Sequence, residues 1–123
     1  MIGFDIVGVK IDCLLLGIAY KKDIDDDRES PGYVIRKKFM ELGAEVVYND
    51  PLIPRLRPTR KFDFNMTSTE LTPENLTEFD AVAIVTDHSS YDYRLLVERA
   101  RLVIDTRNAT DGIRAERDKV VLA

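Results

Sequence analysis

Residues 21–29, KKDIDDDRE, hold two lysines, four aspartates, one arginine and one glutamate directly after an apolar run. Three chemistries fit such a cluster: a divalent-cation site, an acid/base pair of carboxylates, or the polar mouth of an anion pocket. A calcium loop of the EF-hand kind needs a glycine turn and a distal bidentate glutamate, and neither is correctly spaced around Asp23, Asp25, Asp26 and Asp27. Lys21, Lys22 and Arg28 in the same stretch also oppose a metal ion, so no metal site is expected. The plain alternative for the acids is that they complement the dipole of a helix that follows.

The anion reading begins with Lys21, which follows Leu16, Gly17 and Ala19 and so stands just beyond the end of an apolar segment. Arg107 follows VID in the same way, and its planar guanidinium can fork two phosphate oxygens where lysine offers a point charge. The bland readings are a solvated lysine and an arginine paired with Asp105 or a loop aspartate. Neither GxxxxGK[ST] nor GxGxxG occurs, so no glycine-rich phosphate loop is expected. His88, the single histidine, lies in TDHSSYD. A loop-organising bond to backbone or to Asp87 is favoured over proton transfer, and one histidine is a poor basis for a metal site. Cys13 sits inside an apolar run and reads as a core residue. Arg55, Arg57, Arg60 and Lys61, among prolines, read as a solvated loop.

These residues need a scaffold, and the hydrophobic pattern supplies one. Ile11 to Leu16 is a short, nearly continuous apolar run ending at Gly17, as in a strand buried on both faces. Ser30 and Pro31 read as N-cap and first residue of a helix. Ile35, Phe39 and Leu42 then form one stripe, and Gly43 stops it. Ala44 to Tyr48 is the next strand, closed by Asn49, Asp50 and Pro51. Three prolines oppose regular structure over 51–72, although Phe62, Phe64 and Met66 alternate as an edge strand would. Thr72 and Pro73 open a short helix through Thr77, and 81–85 (AVAIV) is a third strand. Tyr91 to Ala100 reads as a helix with Leu95, Leu96, Arg99 and Ala100 near its inner face. Residues 101–106 form a fourth strand and 119–122 a weaker last one.

Strands alternating with helices predict a three-layer α/β/α Rossmann-like domain with a mainly parallel sheet of five to six strands. Ligands of such sheets bind outside the carboxyl ends of the strands, which gathers the loops 17–30, 86–92 and 105–112 on one edge. At 123 residues the chain is one domain, and 18 basic against 22 acidic residues give a net charge of −4 with no basic field for nucleic acid. One cysteine excludes an internal disulfide and suits a reducing cytoplasm. No run approaches the roughly 18 apolar residues of a membrane span, and no signal peptide is recognisable.

The stretches KIDCLLLGIAYKKDIDDDRESPGYVIRKKFMELGAEVVYNDP, FDAVAIVTDHSSY and LVIDTRN, in this order, resemble the C-terminal UDP-binding domain of the UDP-glucose/GDP-mannose dehydrogenase family. Within it, AYKKDIDDxRESP leans toward the branch that oxidises UDP-N-acetylhexosamines. The resemblance implies an enzyme, a cytoplasmic homodimer serving polysaccharide biosynthesis. That enzyme oxidises a sugar C6 hydroxyl to a carboxylate in two steps, each passing a hydride to NAD. It assigns residues 1–10 to a linker or N-terminal remnant and 11–123 to the UDP-binding domain. Tyr20 and Lys21 match the family's substrate contact, Arg107 in DTRN the arginine that holds UDP, and Arg28 the arginine reaching across the cleft toward NAD. The NAD domain and the catalytic cysteine lie upstream in the family, and Cys13 does not match that cysteine. This chain is therefore expected to bind UDP-sugar and to be inactive alone. The rival is a stand-alone nucleotide-binding or interaction module.

Overall fold

The computed structural model describes residues 11–19, 21–24, 31–56 and 66–123. Its strands are β1 (Ile11–Leu16), β2 (Ala44–Asn49), β3 (Ala81–Ile84), β4 (Val103–Asp105) and β5 (Val120–Leu122). They form one parallel sheet in the order β2-β1-β3-β4-β5. The register pairs Leu16 with Asn49 and with Ile84, and Ile84 with Asp105. The carboxyl ends of β2, β1, β3 and β4 therefore stand in one row.

The central strand is apolar throughout because both of its faces are covered. Cys13 and Leu15 join Val46, Tyr48, Ala81 and Ala83 on the face under α1 (Pro31–Glu41), where Tyr33, Ile35 and Phe39 pack. Leu14 and Leu16 join Val82, Ile84 and Val103 on the other, under Leu76 of α2 (Pro73–Leu76) and Leu96 of α3 (Tyr93–Arg99). Leu14, Leu15 and Leu16 are wholly buried, each contributing roughly 1.5–3 kcal/mol of transfer free energy. The result is the expected three-layer α/β/α arrangement.

Local chemistry sets the helix ends. Pro31 opens α1, while Ser30 lies outside the described residues. Leu42 departs from the expected stripe: the helix stops at Glu41, Gly43 turns the chain at φ 95°, and Leu42 is left exposed. A helical stripe projects only as far as the helix runs, and the buried helical positions are Gly32 and Tyr33 instead. At α2, Thr72 Oγ1 accepts from Asn75 N while Asn75 Oδ1 accepts from Thr72 N, each at 3.0 Å, a reciprocal capping box. At α3 the cap is Asp92, so the helix starts two residues after the expected Tyr91. Leu96, Val97 and Ala100 face the core, and Arg99 faces solvent. Strand β4 is shorter than expected; beyond its two ends Arg101 pairs with Asp80 (3.6 Å) and the Thr106 hydroxyl donates to Ile84 O (2.7 Å). Phe62 and Phe64 lie outside the described residues; Met66 packs against the core beside a single antiparallel bridge, Arg55 to Thr67.

Candidate functional site

In a sheet ordered 2-1-3-4-5 the connections reverse direction between β1 and β3, which opens a crevice at their carboxyl ends. Three loops meet there: 17–24 after β1, 85–92 after β3, and 106–113 after β4. Gly17 makes the first turn with φ 83°. A Cβ at this position would overlap Thr86 Cβ and lie 2.9 Å from Thr86 Cα, so only glycine lets the two loops touch. The contact is sealed by the buried Thr86 hydroxyl donating to Ala19 O (2.8 Å).

The next feature comes from β2. Asp50 is buried, and its Oδ2 accepts from Ile18 N (2.8 Å) and Ala19 N (3.1 Å), while Oδ1 accepts from Leu52 N (2.8 Å). In dinucleotide-binding sheets the amides after the first strand are free to meet a pyrophosphate. Here the protein's own carboxylate occupies them. The described residues therefore do not fit an NAD phosphate site at this turn.

His88 is the third partner of Asp50 Oδ2, through Nε2 at 2.8 Å. Its Nδ1 faces the backbone N–H of Asp23 at 2.8 Å. An amide only donates, so Nδ1 accepts and the ring proton sits on Nε2. The imidazole bridges three loops, as expected in kind, but its carboxylate partner is Asp50 and not Asp87. Asp23 has φ 62°, and its carboxylate accepts from Ser89 N (2.8 Å) and Ser89 Oγ. Those two hydrogen bonds, the hydroxyl first, hold its pKa below the ordinary carboxylate value. Asp23 thus anchors its loop to the β3 loop. Tyr91 donates to Asn49 O and Oδ1 (2.8 and 2.9 Å), and burial, with Asp50 nearby, raises its pKa so that the hydroxyl stays a donor.

The β4 loop is built around Asp105. Oδ1 accepts from Arg107 N (3.0 Å) and Ala109 N (3.1 Å), and Oδ2 accepts from Thr110 N (2.9 Å) and Thr110 Oγ1 (2.7 Å). Burial alone would raise its pKa, but these donors outweigh it and the pKa is lowered. Arg117 Nη1 secures Thr110 O at 2.8 Å. Asp105 therefore binds the backbone of Arg107, and the guanidinium is free to turn: its Nε donates to Val85 O at 2.9 Å, across the end of β3. The terminal nitrogens of Arg107 and the exposed ammonium of Lys21 have no hydrogen-bond partner among the described residues. They stand on loops that flank β3 on its two sides, roughly 10 Å apart at the level of the strands.

Of the residues singled out from sequence, Lys21 and Arg107 share this edge. Tyr20, Arg28, Asp25, Asp26 and Asp27 lie outside the described residues. Cys13 is buried in β1 with its thiol pushed up to about 11, first by burial and then by Asp80 and Asp12, a state opposite to a reactive thiolate. Arg55 is exposed. Sequence reasoning missed Asp50 and Tyr91 as organisers of the edge.

Fold and edge together define a doubly wound α/β domain of the nucleotide-binding kind. The chain belongs to the UDP-glucose/GDP-mannose dehydrogenase family: residues 14–112 match its UDP binding domain. It is 34% identical over 88 residues to the UDP-N-acetyl-D-mannosamine dehydrogenase of Campylobacter jejuni, covering 71% of this chain and 21% of that protein. Among solved structures it resembles the UDP-D-ManNAc dehydrogenase of Pyrococcus horikoshii (TM-score 0.64, 22% identity, 92% of this chain and 25% of that one). It also resembles the NDP-N-acetyl-D-galactosaminuronic acid dehydrogenase of Methanosarcina mazei Go1 (TM-score 0.68, 22% identity, 93% and 24%). The chain thus spans about a fifth to a quarter of the length of these relatives.

Proposed function

We propose that this domain holds the UDP part of a UDP-sugar for an NAD-dependent UDP-sugar 6-dehydrogenase, with Lys21 and Arg107 as the phosphate-binding cations. The observation that carries the reading is the placement, on the loops flanking β3, of the Lys21 ammonium and the Arg107 terminal nitrogens, which have no hydrogen-bond partner among the described residues, in a family whose matching domain binds UDP. By the family match, Tyr20, which precedes Lys21 in sequence, is assigned as a further substrate contact and Arg28 to the NAD side of the cleft. The turn after β1 is filled by Asp50, so NAD is held chiefly by other parts of the enzyme. Alone, this chain binds nucleotide and transfers no hydride. The likeness to a UDP-N-acetyl-D-mannosamine dehydrogenase supports an N-acetylhexosamine as the sugar, and a homodimer in the cytoplasm is the assembly proposed for the enzyme.

Each charge-assisted hydrogen bond to phosphate contributes roughly 1.5–3 kcal/mol, so Lys21→Ala and Arg107→Ala each weaken UDP binding about ten- to a hundredfold. Arg99→Ala, exposed at the far end of α3, is the charge-matched control and leaves binding unchanged. Calorimetric titration of the folded variants at one salt concentration is the test. Equal UDP affinity in all three variants contradicts the assignment.

A further inference from the structure

The segment carrying Lys21 leaves the sheet at Gly17 and is exposed over 21–23. Two clamps return it to the crevice, both at Asp23: its amide on His88 Nδ1, and its carboxylate on Ser89. The imidazole is itself immobilised. Its Nε2–H is directed to Asp50 Oδ2, which Ile18 N and Ala19 N hold in place. Its carbonyl accepts the Tyr93 hydroxyl at 2.7 Å, and its ring lies 5.9 Å from that of Tyr91. The buried ring thus carries one lone pair, and that lone pair meets the amide two residues after Lys21.

We infer that His88 is a positioning residue for the nucleotide site, its Nε2-protonated ring fixing where the Lys21 ammonium stands; this rests on the nucleotide reading of the edge. An asparagine amide oxygen reproduces the Nδ1 acceptor, whereas a glutamine amide nitrogen reproduces the Nε2 donor. The two substitutions therefore separate the bond to Asp23 from the bond to Asp50. A merely structural histidine would make UDP affinity follow stability, whichever bond is lost. A positioning histidine makes it follow the Asp23 bond.

The test combines hydrogen exchange at the Asp23 amide, thermal unfolding and UDP titration for wild type, His88→Gln and His88→Asn. His88→Gln is expected to lose Asp23 amide protection and to bind UDP roughly tenfold more weakly while melting near wild type. His88→Asn is expected to keep Asp23 protection and UDP affinity while melting lower. The opposite pairing, or UDP affinity unchanged in His88→Gln, overturns the inference. Imidazole 15N spectra of the wild-type chain test the premise without any variant: a protonated Nε2 and an Nδ1 coupled to the Asp23 amide are expected, and a protonated Nδ1 overturns the inference. Failure of the wild-type chain to bind UDP counts against the proposed function instead, and the exchange and 15N data still decide whether His88 holds the loop.

Discussion

Two buried aspartates, Asp50 just after β2 and Asp105 at the end of β4, do the same physical work on different loops: each carboxylate gathers four donors. A buried carboxylate is tolerated only when so paired, and removing it orphans its donors. For Asp105 this has a pH consequence. Its pKa is lowered on folding from an ordinary value near 3.8, so the unfolded chain takes up the proton more readily. The stability it contributes is complete above that ordinary value and is lost as pH falls through the lower folded value. Urea unfolding of wild type and Asp105→Asn at a series of pH values should therefore show a gap that is widest above pH ~4.5 and narrows in acid. A gap independent of pH would contradict the reading.

At the scale of elements, the carboxyl edge depends on how closely the turn after β1 approaches the loop after β3. Gly17→Ala puts a Cβ into Thr86 and forces a left-handed residue, a change expected to destabilise the fold by about 3 kcal/mol or more. Gly112→Ala is the control, since a Cβ there meets nothing within 4 Å. Chemical denaturation of the two should separate them; equal midpoints would mean that the loops move apart without cost. The elements themselves were legible because each announces itself locally. Strand β1 is an apolar run, Thr72 and Pro73 carry a cap, and Gly43 carries a stop. The organisation of the edge was not legible, because its bonds span long separations. Asp50 reads as a strand terminator until the fold brings Ile18 and Ala19, more than 30 residues away, against it. His88 suggests its neighbour Asp87, yet bonds Asp23 and Asp50. Tyr91 reads as the start of a helix, yet the Asp92 cap leaves it outside α3, where its hydroxyl reaches Asn49.

At the scale of the molecule, one end of the sheet is committed to the candidate site and the other to structure. The amino ends of the strands are closed by Asp80, which accepts from Asp12 N and pairs with Arg101, and by Lys119, which donates to Glu98 O and Ala100 O. In the proposed function the carboxyl end takes the nucleotide through the loops around β3. Amide chemical-shift mapping of the 15N-labelled chain during titration with UDP tests it most directly. Shifts confined to residues 17–24, 85–92 and 106–113 are expected. Shifts centred instead on the groove between α2 and α3, at Leu71, Leu76 and Leu95, or no shifts at millimolar UDP, would contradict it.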